Sequence, residues 1–428
     1  MPPRHNVYLV PGFFGFANLG DLKYFAHVHD VLQANFASLG IEANVHHVRT
    51  WPTASVRKRA TRLLQAIHDT SGDDEGPIHL IGHSSGGLDA RLLVTAGASL
   101  TGPVALDATG ARPAEPDAAT VESYAARIRS VITVASPHHG TPMVSLFTTM
   151  FGGRLLQLLS LATIYVLRYG RLPLSVLLPM GRILVRLDNV GVGSDPLDQL
   201  YDELLSDFSD DRQKAIREFF HEVGDDQSLI PQLMPSGMEV FNATTRNVHD
   251  VRYGCVVARS RAPGVGSTIA AGWGPYAQAS HALYLAIYNL AARMPHDRAP
   301  MPSLQQIKAL RAAWGEVPDL RDNDGIVPTL SQLWGEVICA VTADHHDVIG
   351  HFDDTGHVPP HYDWIMSGSG FKRPHFEKLW ADVAGWIAKG GHGMRRKPGP
   401  SGSFAALPMP EVAAKPAAAR REAATGEK

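Results

Sequence analysis

The sequence predicts an α/β fold in which a mostly parallel sheet carries helices on both faces and a helical segment is inserted. Strand and helix patterns alternate through residues 1–143, stop over 144–235, and resume from about residue 251. Strands that alternate with helices are joined by crossover connections, which favour parallel pairing. A chain of 428 residues with 44% hydrophobic content is long enough to bury such a core.

The first part of the chain, 1–143, contains short apolar runs bounded by turn residues and two segments with helical spacing of apolar residues. Strands are predicted at Val7–Val10, Ala43–Val48, Pro77–Gly82 and Arg129–Ala135, and helices at Ser55–Thr70 and Ser85–Ala96. Residues 101–120 are rich in Pro, Ala and Asp and predict a surface loop. This part therefore supplies the first half of the sheet.

The segment 144–235 is unusually apolar. No charged residue occurs in Leu155–Leu167, and Leu172–Leu187 carries charge only at Arg182 and Arg186. A transmembrane helix needs about 20 consecutive apolar residues, and both runs are shorter or interrupted. We interpret the segment as a pair of buried helices in a cap or lid over the functional site.

The alternation of strands and helices then returns in 236–392. Strands are predicted at Val251–Ala258 and Glu336–Val341, and helices at Gln278–Arg293 and His375–Ala388. This part is expected to complete the α/β unit begun by 1–143. The last segment, 393–428, has few large apolar residues and many Ala, Pro and charged residues, so a disordered tail is expected there.

Composition argues against several classes of protein. A formal charge of −3 and a pI near 6.7 do not suit a nucleic-acid partner. With Cys255 and Cys339 as its two cysteines, the chain is not a disulfide scaffold, and free thiols are expected. The charged start leads directly into the first strand without room for a signal sequence. We therefore expect a cytoplasmic protein, with peripheral contact to a lipid surface through the cap.

The decisive motif is Gly-x-Ser-x-Gly at Gly82–Gly86, with Ser84 at its centre, between an apolar strand and a helix. A serine in this position sits on a sharp strand-to-helix turn that exposes its hydroxyl at the edge of the sheet. The glycines let neighbouring backbone approach closely. This pattern predicts a nucleophile elbow, the turn that carries the nucleophile of α/β-hydrolases, whereas the motif alone also describes an ordinary glycine-rich turn.

A serine needs a base, and the base needs an acid to orient it. In the α/β-hydrolase fold these residues follow the serine in the order Asp or Glu, then His. Two polar clusters lie downstream, at Asp322–Gly325 and at Asp344–Asp347. They predict Asp324 as the acid and a histidine of the second cluster as the base.

The same chemistry needs two backbone N–H groups that bind the oxyanion formed during ester cleavage. One is expected from Ser85, the residue after the nucleophile, and the other from the loop after an early strand. That loop is Pro11–Gly15, and Phe13 follows a glycine that lets backbone approach a ligand. The oxyanion hole is therefore predicted at Phe13 and Ser85.

These motifs resemble the bacterial triacylglycerol lipase and esterase group of the α/β-hydrolases. The matching pieces are Leu9–Gly15, Gly82–Arg91, Val134–Thr141, Asn323–Val327 and Asp344–Asp347. The resemblance implies an ester hydrolase with Ser84, Asp324 and His345 as catalytic residues, acting through an acyl-enzyme on ester or lipid substrates. Some members bind a structural calcium through an aspartate two residues after the histidine, here Asp347, although we identify no upstream partner aspartate.

Position alone does not decide between His345 and His346. Adjacent residues of an extended segment point to opposite sides, so one of the two is expected to face Ser84. The pattern His, any residue, Asp in the group that the chain resembles favours His345, followed by Asp347.

The mechanism requires no cofactor. A metal site is conceivable around His345, His346, His351 and His357, but the zinc pattern H-E-x-x-H is absent, so hydrogen-bonded histidines are expected. Amide hydrolysis, acyl transfer and cleavage of a polyester such as a polyhydroxyalkanoate stay open as alternative reactions on the same residues. A non-catalytic membrane-associated protein is the alternative from another class.

Overall fold

In a computed structural model of the chain, residues 4–13, 24–71, 75–95, 124–149, 152–186, 194–363 and 365–390 are described. Six strands within these ranges form one sheet. They are β1 (His5–Val10), β2 (Ala43–His47), β3 (Ile78–His83), β4 (Ile128–Val134), β5 (Arg252–Arg259) and β6 (Glu336–Thr342).

The strands lie in the order β2-β1-β3-β4-β5-β6, and each neighbouring pair is parallel. In this register Val10 lies opposite Gly82, and His83 lies opposite Val134. The carboxyl ends of β1, β3 and β4 therefore meet at one edge of the sheet. The predicted α/β fold with a mostly parallel sheet is confirmed, and each predicted strand end lies within two residues of the observed one.

Helices follow most of the strands. They are α1 (Val28–Ser38), α2 (Val56–Ser71), α3 (Gly86–Val94), α4 (Gly152–Tyr169), α5 (Leu174–Arg186), α6 (Ser194–Ser206), α7 (Asp210–Asp225), α8 (Leu229–Gln232), α9 (Pro235–Thr244), α10 (Val265–Ala271), α11 (Pro275–Ala291), α12 (Leu304–Trp314) and α13 (Arg373–Gly390). Short 3₁₀ turns occur at Pro142–Thr148, His296–Arg298, Thr329–Gln332 and Asp347–Ile349.

Both faces of the sheet are covered. Side chains alternate along a strand, so Val7 and Leu9 of β1 pack with α1 and α13, whereas Tyr8 and Val10 pack with α2 and α3 on the other face. All four side chains are fully buried. A strand buried on both faces explains why the sequence shows a continuous apolar run here.

Between β4 and β5, most of the described residues from Pro142 to Thr244 are helical, and this range contains the predicted cap segment 144–235. Residues of α4 and α5 form one apolar cluster with α11, and Leu156, Leu161 and Val176 within it are fully buried. The uncharged run that the sequence shows here is thus buried by packing among helices.

Among the described residues, we find no single helix with the length and apolar character needed to cross a membrane. The bent pair Pro142–Thr148 and Gly152–Val166, which meet at 116°, satisfies that length and composition when taken together. The predicted loop at 101–120 and the predicted tail at 393–428 lie outside the described residues. Cys255 and Cys339 are free thiols on neighbouring strands.

Candidate active site

Ser84 lies between β3 and α3 in a strained turn. Its φ is +54°, a left-handed value that costs a residue with a side chain about 1–3 kcal/mol. A Cβ at Gly82 would lie 2.3 Å from the backbone of Gly86, and a Cβ at Gly86 would lie 2.3 Å from the carbonyl oxygen of Val10. The spacing Gly-x-Ser-x-Gly is therefore needed because only glycine fits between these backbones. The Ser84 N–H donates to the carbonyl of Val134, which anchors the turn to β4.

Asp324 and His345 form a buried pair. Oδ2 of Asp324 lies 2.7 Å from Nδ1 of His345, and the His345 N–H donates to the Asp324 carbonyl oxygen at 2.9 Å. Oδ1 of Asp324 accepts the N–H groups of Ile326 and Val327, and Oδ2 also accepts from the Gln332 amide at 3.1 Å. These hydrogen bonds fix the orientation of the carboxylate relative to the His345 ring.

His345 of this pair lines the same pocket as Ser84. The pocket is lined by Ser84, His345 and His346 together with Phe13 and Tyr24. Its other walls are mostly apolar and comprise Pro137, Thr141, Met143, Val144, Phe147, Leu233, Ile326 and Val327. The structure thus brings the predicted nucleophile, acid and base, which lie far apart in sequence, to one edge of the sheet.

The loop after β1 lies directly against Ser84. A Cβ at Gly12 would lie 2.6 Å from the Cβ of Ser84, so this loop requires glycine. Phe13 is buried and its ring stacks on Phe147 at a centroid distance of 5.7 Å. Ser85 caps the N-terminus of α3, where backbone N–H groups point outward. Both residues predicted for the oxyanion hole therefore flank Ser84.

A buried ion pair holds this loop. Arg59 of α2 donates from Nη2 to the carbonyl of Pro11 at 2.6 Å and from Nε to Oδ2 of Asp89 at 2.9 Å. Both charged side chains are fully buried. Burial raises the pKa of Asp89 to about 6, an effect that Arg59 opposes. The pair therefore fixes the backbone of the loop relative to α2 and α3.

Three solved structures are similar to this chain. Lipase 1 from Pelosinus fermentans is 17% identical with a TM-score of 0.47, covering 90% of this chain and 99% of that one. EstA from Clostridium botulinum is 16% identical with a TM-score of 0.47, covering 90% and 88%. The Staphylococcus hyicus lipase is 14% identical with a TM-score of 0.45, covering 91% and 96%. Two of the three, those from Pelosinus fermentans and Staphylococcus hyicus, are lipases. No family profile and no curated protein sequence matches the chain.

Sequence reasoning missed a buried hydrogen-bond chain behind the site. The Gly12 N–H donates to the Tyr24 hydroxyl at 2.9 Å, and that hydroxyl lies 2.7 Å from Nδ1 of His83. Nε2 of His83 lies 2.9 Å from the carbonyl oxygen of His345. A carbonyl only accepts, so Nε2 of His83 carries the proton and Nδ1 accepts from Tyr24. This hydrogen-bond chain links the loop after β1 to His345.

His83 stays neutral within this hydrogen-bond chain. Burial lowers its pKa well below the usual value, and the neighbouring rings of His345 and His346 lower it further. His83 lies inside the Gly-x-Ser-x-Gly motif, and that position was the one signal in the sequence that pointed to it. Tyr24 and Gln332 carried no comparable signal, because their roles arise from contacts between distant segments.

His346 also lines the pocket, next to His345. Its backbone N–H donates to Oδ1 of Asp344 at 2.9 Å, and its ring centroid lies 5.4 Å from that of His345. Burial lowers the pKa of His346 well below its usual value, and His345 and His351 contribute to the shift. His346 is therefore a neutral imidazole that lies next to the His345 ring, which is hydrogen-bonded to Asp324.

Asp347, which the resemblance suggested as a calcium ligand, is held by hydrogen bonds from two neighbouring groups. Its Oδ2 accepts the Asp344 N–H at 2.8 Å and the Ser369 hydroxyl at 2.7 Å. Calcium takes six to eight oxygen ligands, and among the described residues no cluster of three carboxylates converges here. Burial and Asp344 raise the pKa of Asp347 well above its usual value. No mechanistic step is therefore derived through calcium.

The four histidines considered for a metal do not converge either. Nε2 of His351 lies 2.8 Å from the carbonyl oxygen of Tyr24, so it serves as a donor. Of the four, His357 belongs to a different cluster, in which it meets His27 and His361.

Proposed function

We propose that the protein is a serine hydrolase of the α/β-hydrolase fold that cleaves carboxylic esters with apolar acyl groups. One observation carries this proposal. Ser84, held in a left-handed turn at the end of β3, lines the same pocket as His345, and Asp324 lies 2.7 Å from Nδ1 of that histidine. The parallel sheet, with the serine turn directly after its third strand in the chain, supports the same fold assignment.

Hydrogen bonding sets the roles of the base. Nδ1 of His345 donates to Asp324, which leaves Nε2 as the proton acceptor. As the Ser84 oxygen attacks the ester carbonyl, its proton moves to this Nε2. The carbonyl oxygen gains negative charge and accepts the N–H groups of Phe13 and Ser85.

The same residues complete the cycle. The imidazolium of His345 protonates the leaving alcohol as the carbon–oxygen bond breaks, which leaves an acyl group on Ser84. Water then attacks this acyl group, gives its proton to His345, and Ser84 leaves with that proton as the acid is released. Throughout, the carboxylate of Asp324 fixes the imidazole and stabilises its positive charge.

The walls of the pocket support an apolar acyl group. Met143, Val144, Phe147 and Leu233 lie on the helical chain between β4 and β5, and all four line the pocket. We therefore propose that the segment 144–235 acts as a cap whose apolar side chains contact the acyl chain. Each methylene buried there contributes about 0.8 kcal/mol.

Exposed apolar side chains near the cap support transient contact with a lipid surface. Leu174 and Leu178 of α5 are 40% and 46% exposed, and Ile269 and Trp273 are 50% and 81% exposed. The two regions adjoin, because the Leu172 N–H donates to the hydroxyl of Tyr276 in α11. Tryptophan is favoured at membrane–water interfaces, so binding of the protein to lipid vesicles would involve Trp273.

Covalent labelling with a fluorophosphonate tests the proposal. The probe is expected to modify Ser84, and Ser84→Ala should abolish labelling and lower kcat by about four to six orders of magnitude in a folded protein. Ser85→Ala is a matched control, because it keeps the backbone N–H and removes a buried hydroxyl without a hydrogen-bond partner among the described residues. Labelling of Ser84→Ala at another serine, with activity retained, would overturn the proposal.

A further inference from the structure

Three histidine rings meet where the start of α1 contacts the chain after β6. They belong to His27, His357 and His361, and one ligand atom from each lies within 4.8 Å of the others. The geometry points to a zinc site formed by these three imidazoles, with the fourth position open to water. This site is separate from the pocket around Ser84, and the inference does not depend on ester hydrolysis.

The arrangement of the rings suits a shared cation. The ring centroid of His27 lies 4.6 Å from that of His357 and 4.1 Å from that of His361, and the last two are 5.0 Å apart. In tetrahedral zinc with Zn–N bonds of about 2.0–2.1 Å, ligand nitrogens lie about 3.3 Å apart. Shifts of the rings by about 1 Å therefore complete the coordination.

Two of the rings are already in the tautomer that binds a metal. Nδ1 of His361 lies 2.6 Å from the carbonyl oxygen of Gly350, and Nδ1 of His357 lies 2.9 Å from that of Pro359. Carbonyl oxygens only accept, so both Nδ1 atoms carry the proton and both Nε2 atoms keep a lone pair. A backbone carbonyl that holds the far side of the ring is the usual support of a zinc-bound histidine.

His361 is rigidly presented. Its backbone pairs in both directions with Asp354, and its ring stacks on Phe352 at 4.3 Å.

His27 is held in an unusual backbone conformation. Its φ is +60°, in the left-handed region, immediately before α1. Strain of this kind persists where surrounding contacts fix a residue, and it is common at binding sites. Here the backbone before the ring is held by the Ala26 N–H, which donates to the carbonyl of Ile349 at 3.0 Å.

Imidazole ligands select zinc and similar transition metals over calcium or magnesium. His27 and His357 are partly exposed whereas His361 is buried, so an ion can enter from the side of the first two rings. We therefore name Zn²⁺ as the ion.

The bound ion would join two segments that also contact the active site. The carbonyl oxygen of Tyr24, three residues before His27, accepts a hydrogen bond from Nε2 of His351, and the Tyr24 hydroxyl belongs to the hydrogen-bond chain that reaches His83. Zinc would hold the 24–27 segment on the loop after β6. Since an ion that binds the folded chain stabilises it by mass action, zinc should raise Tm.

The test uses the full chain, stripped with a chelator and desalted. Zn²⁺ is titrated and bound metal is counted after dialysis, Tm is recorded with and without Zn²⁺, and Co²⁺ is added for the visible absorption of its four-coordinate form. Two variants remove one ligand each. His357→Ala changes a loop side chain, and His27→Asn keeps a residue type that tolerates the left-handed conformation. His249→Ala, an exposed histidine elsewhere, is the matched control.

The expected result is one tightly bound Zn²⁺ per chain in the wild type and in His249→Ala, with a Tm increase of at least about 2 °C. In His357→Ala and His27→Asn, zinc affinity should fall by more than about tenfold and the Tm increase should disappear. The inference is overturned if the wild type binds no zinc at this stoichiometry. It is also overturned if both ligand variants bind zinc as tightly as His249→Ala does.

Discussion

Nδ1 of His345 donates to Oδ2 of Asp324 at 2.7 Å, and the backbone N–H of His345 donates to the Asp324 carbonyl oxygen. Both hydrogen bonds run from His345 to Asp324, and together they fix the tautomer and the position of this ring. His346, one residue further along, lines the same pocket. The activities of single substitutions at His345 and His346 therefore show which of the two is the base.

His345→Ala should lower kcat as severely as Ser84→Ala, because a nucleophile and its base act as a unit. His346→Ala should retain at least a tenth of the activity. Steady-state kinetics on a p-nitrophenyl ester measures both, with circular dichroism to verify folding. Greater loss in His346→Ala than in His345→Ala would assign the base to His346.

Tyr24→Phe should lower kcat by about 10- to 100-fold while KM changes little. The substitution leaves the Gly12 N–H and Nδ1 of His83 without their common partner, and it loosens the contact between the oxyanion loop and His345. Tyr8→Phe is a matched control, because it also removes one hydroxyl contact, to Thr70, behind the sheet. If both variants lose stability equally and keep full activity, Tyr24 has no positioning role.

Activity should rise with acyl length from acetyl towards medium chains. The apolar residues Met143, Phe147 and Leu233 line the pocket, and one methylene buried at about 0.8 kcal/mol corresponds to about a fourfold gain in kcat/KM. A series of p-nitrophenyl esters measures this. A steady decrease from acetyl upward would contradict an apolar acyl site.

Asp347→Asn should stabilise the protein at pH 8. Burial and Asp344 raise the pKa of Asp347 in the folded state. The protonated side chain therefore contributes to stability below the pKa of the unfolded state, and this contribution is lost as the pH rises through the pKa of the folded state. Asparagine imitates the protonated form and can still accept from the Asp344 N–H and the Ser369 hydroxyl.

Tm should therefore be higher than that of wild type by at least about 2 °C at pH 8, with a smaller difference at pH 5. Asp69→Asn, an exposed change, should show no such difference. A lower Tm for Asp347→Asn, together with stabilisation of wild type by added calcium, would instead support a calcium ion at Asp347.

The sequence was sufficient for features that depend on local spacing. Short apolar runs located all six strands of the described sheet, and the spacing of Gly82, Ser84 and Gly86 predicted a turn whose steric reason the structure supplies. Helices α1 and α12 were not predicted. Val28, Leu32 and Phe36 bury one face of α1, but that apolar stripe is short and the helix has no side-chain cap.

Features that depend on distant contacts could not be predicted. Tyr24 and Gln332 acquire their roles only when β1, β5 and the chain after β6 are assembled. The sequence suggested His357 as a metal ligand together with His345, His346 and His351, which lie near it in sequence. Its partners in space are His27, which precedes it by most of the chain, and His361.

The hydrogen-bond chain through Gly12, Tyr24, His83 and His345 has a consequence for how heat or proteolysis would affect the protein. His83 and His345 are 262 positions apart in the chain, yet one hydrogen bond joins them. Local opening of the loop after β1 or of the chain after β6 would break this link and disturb the oxyanion loop and the base together. Inactivation should therefore occur when one of these segments first opens locally, before the sheet itself unfolds.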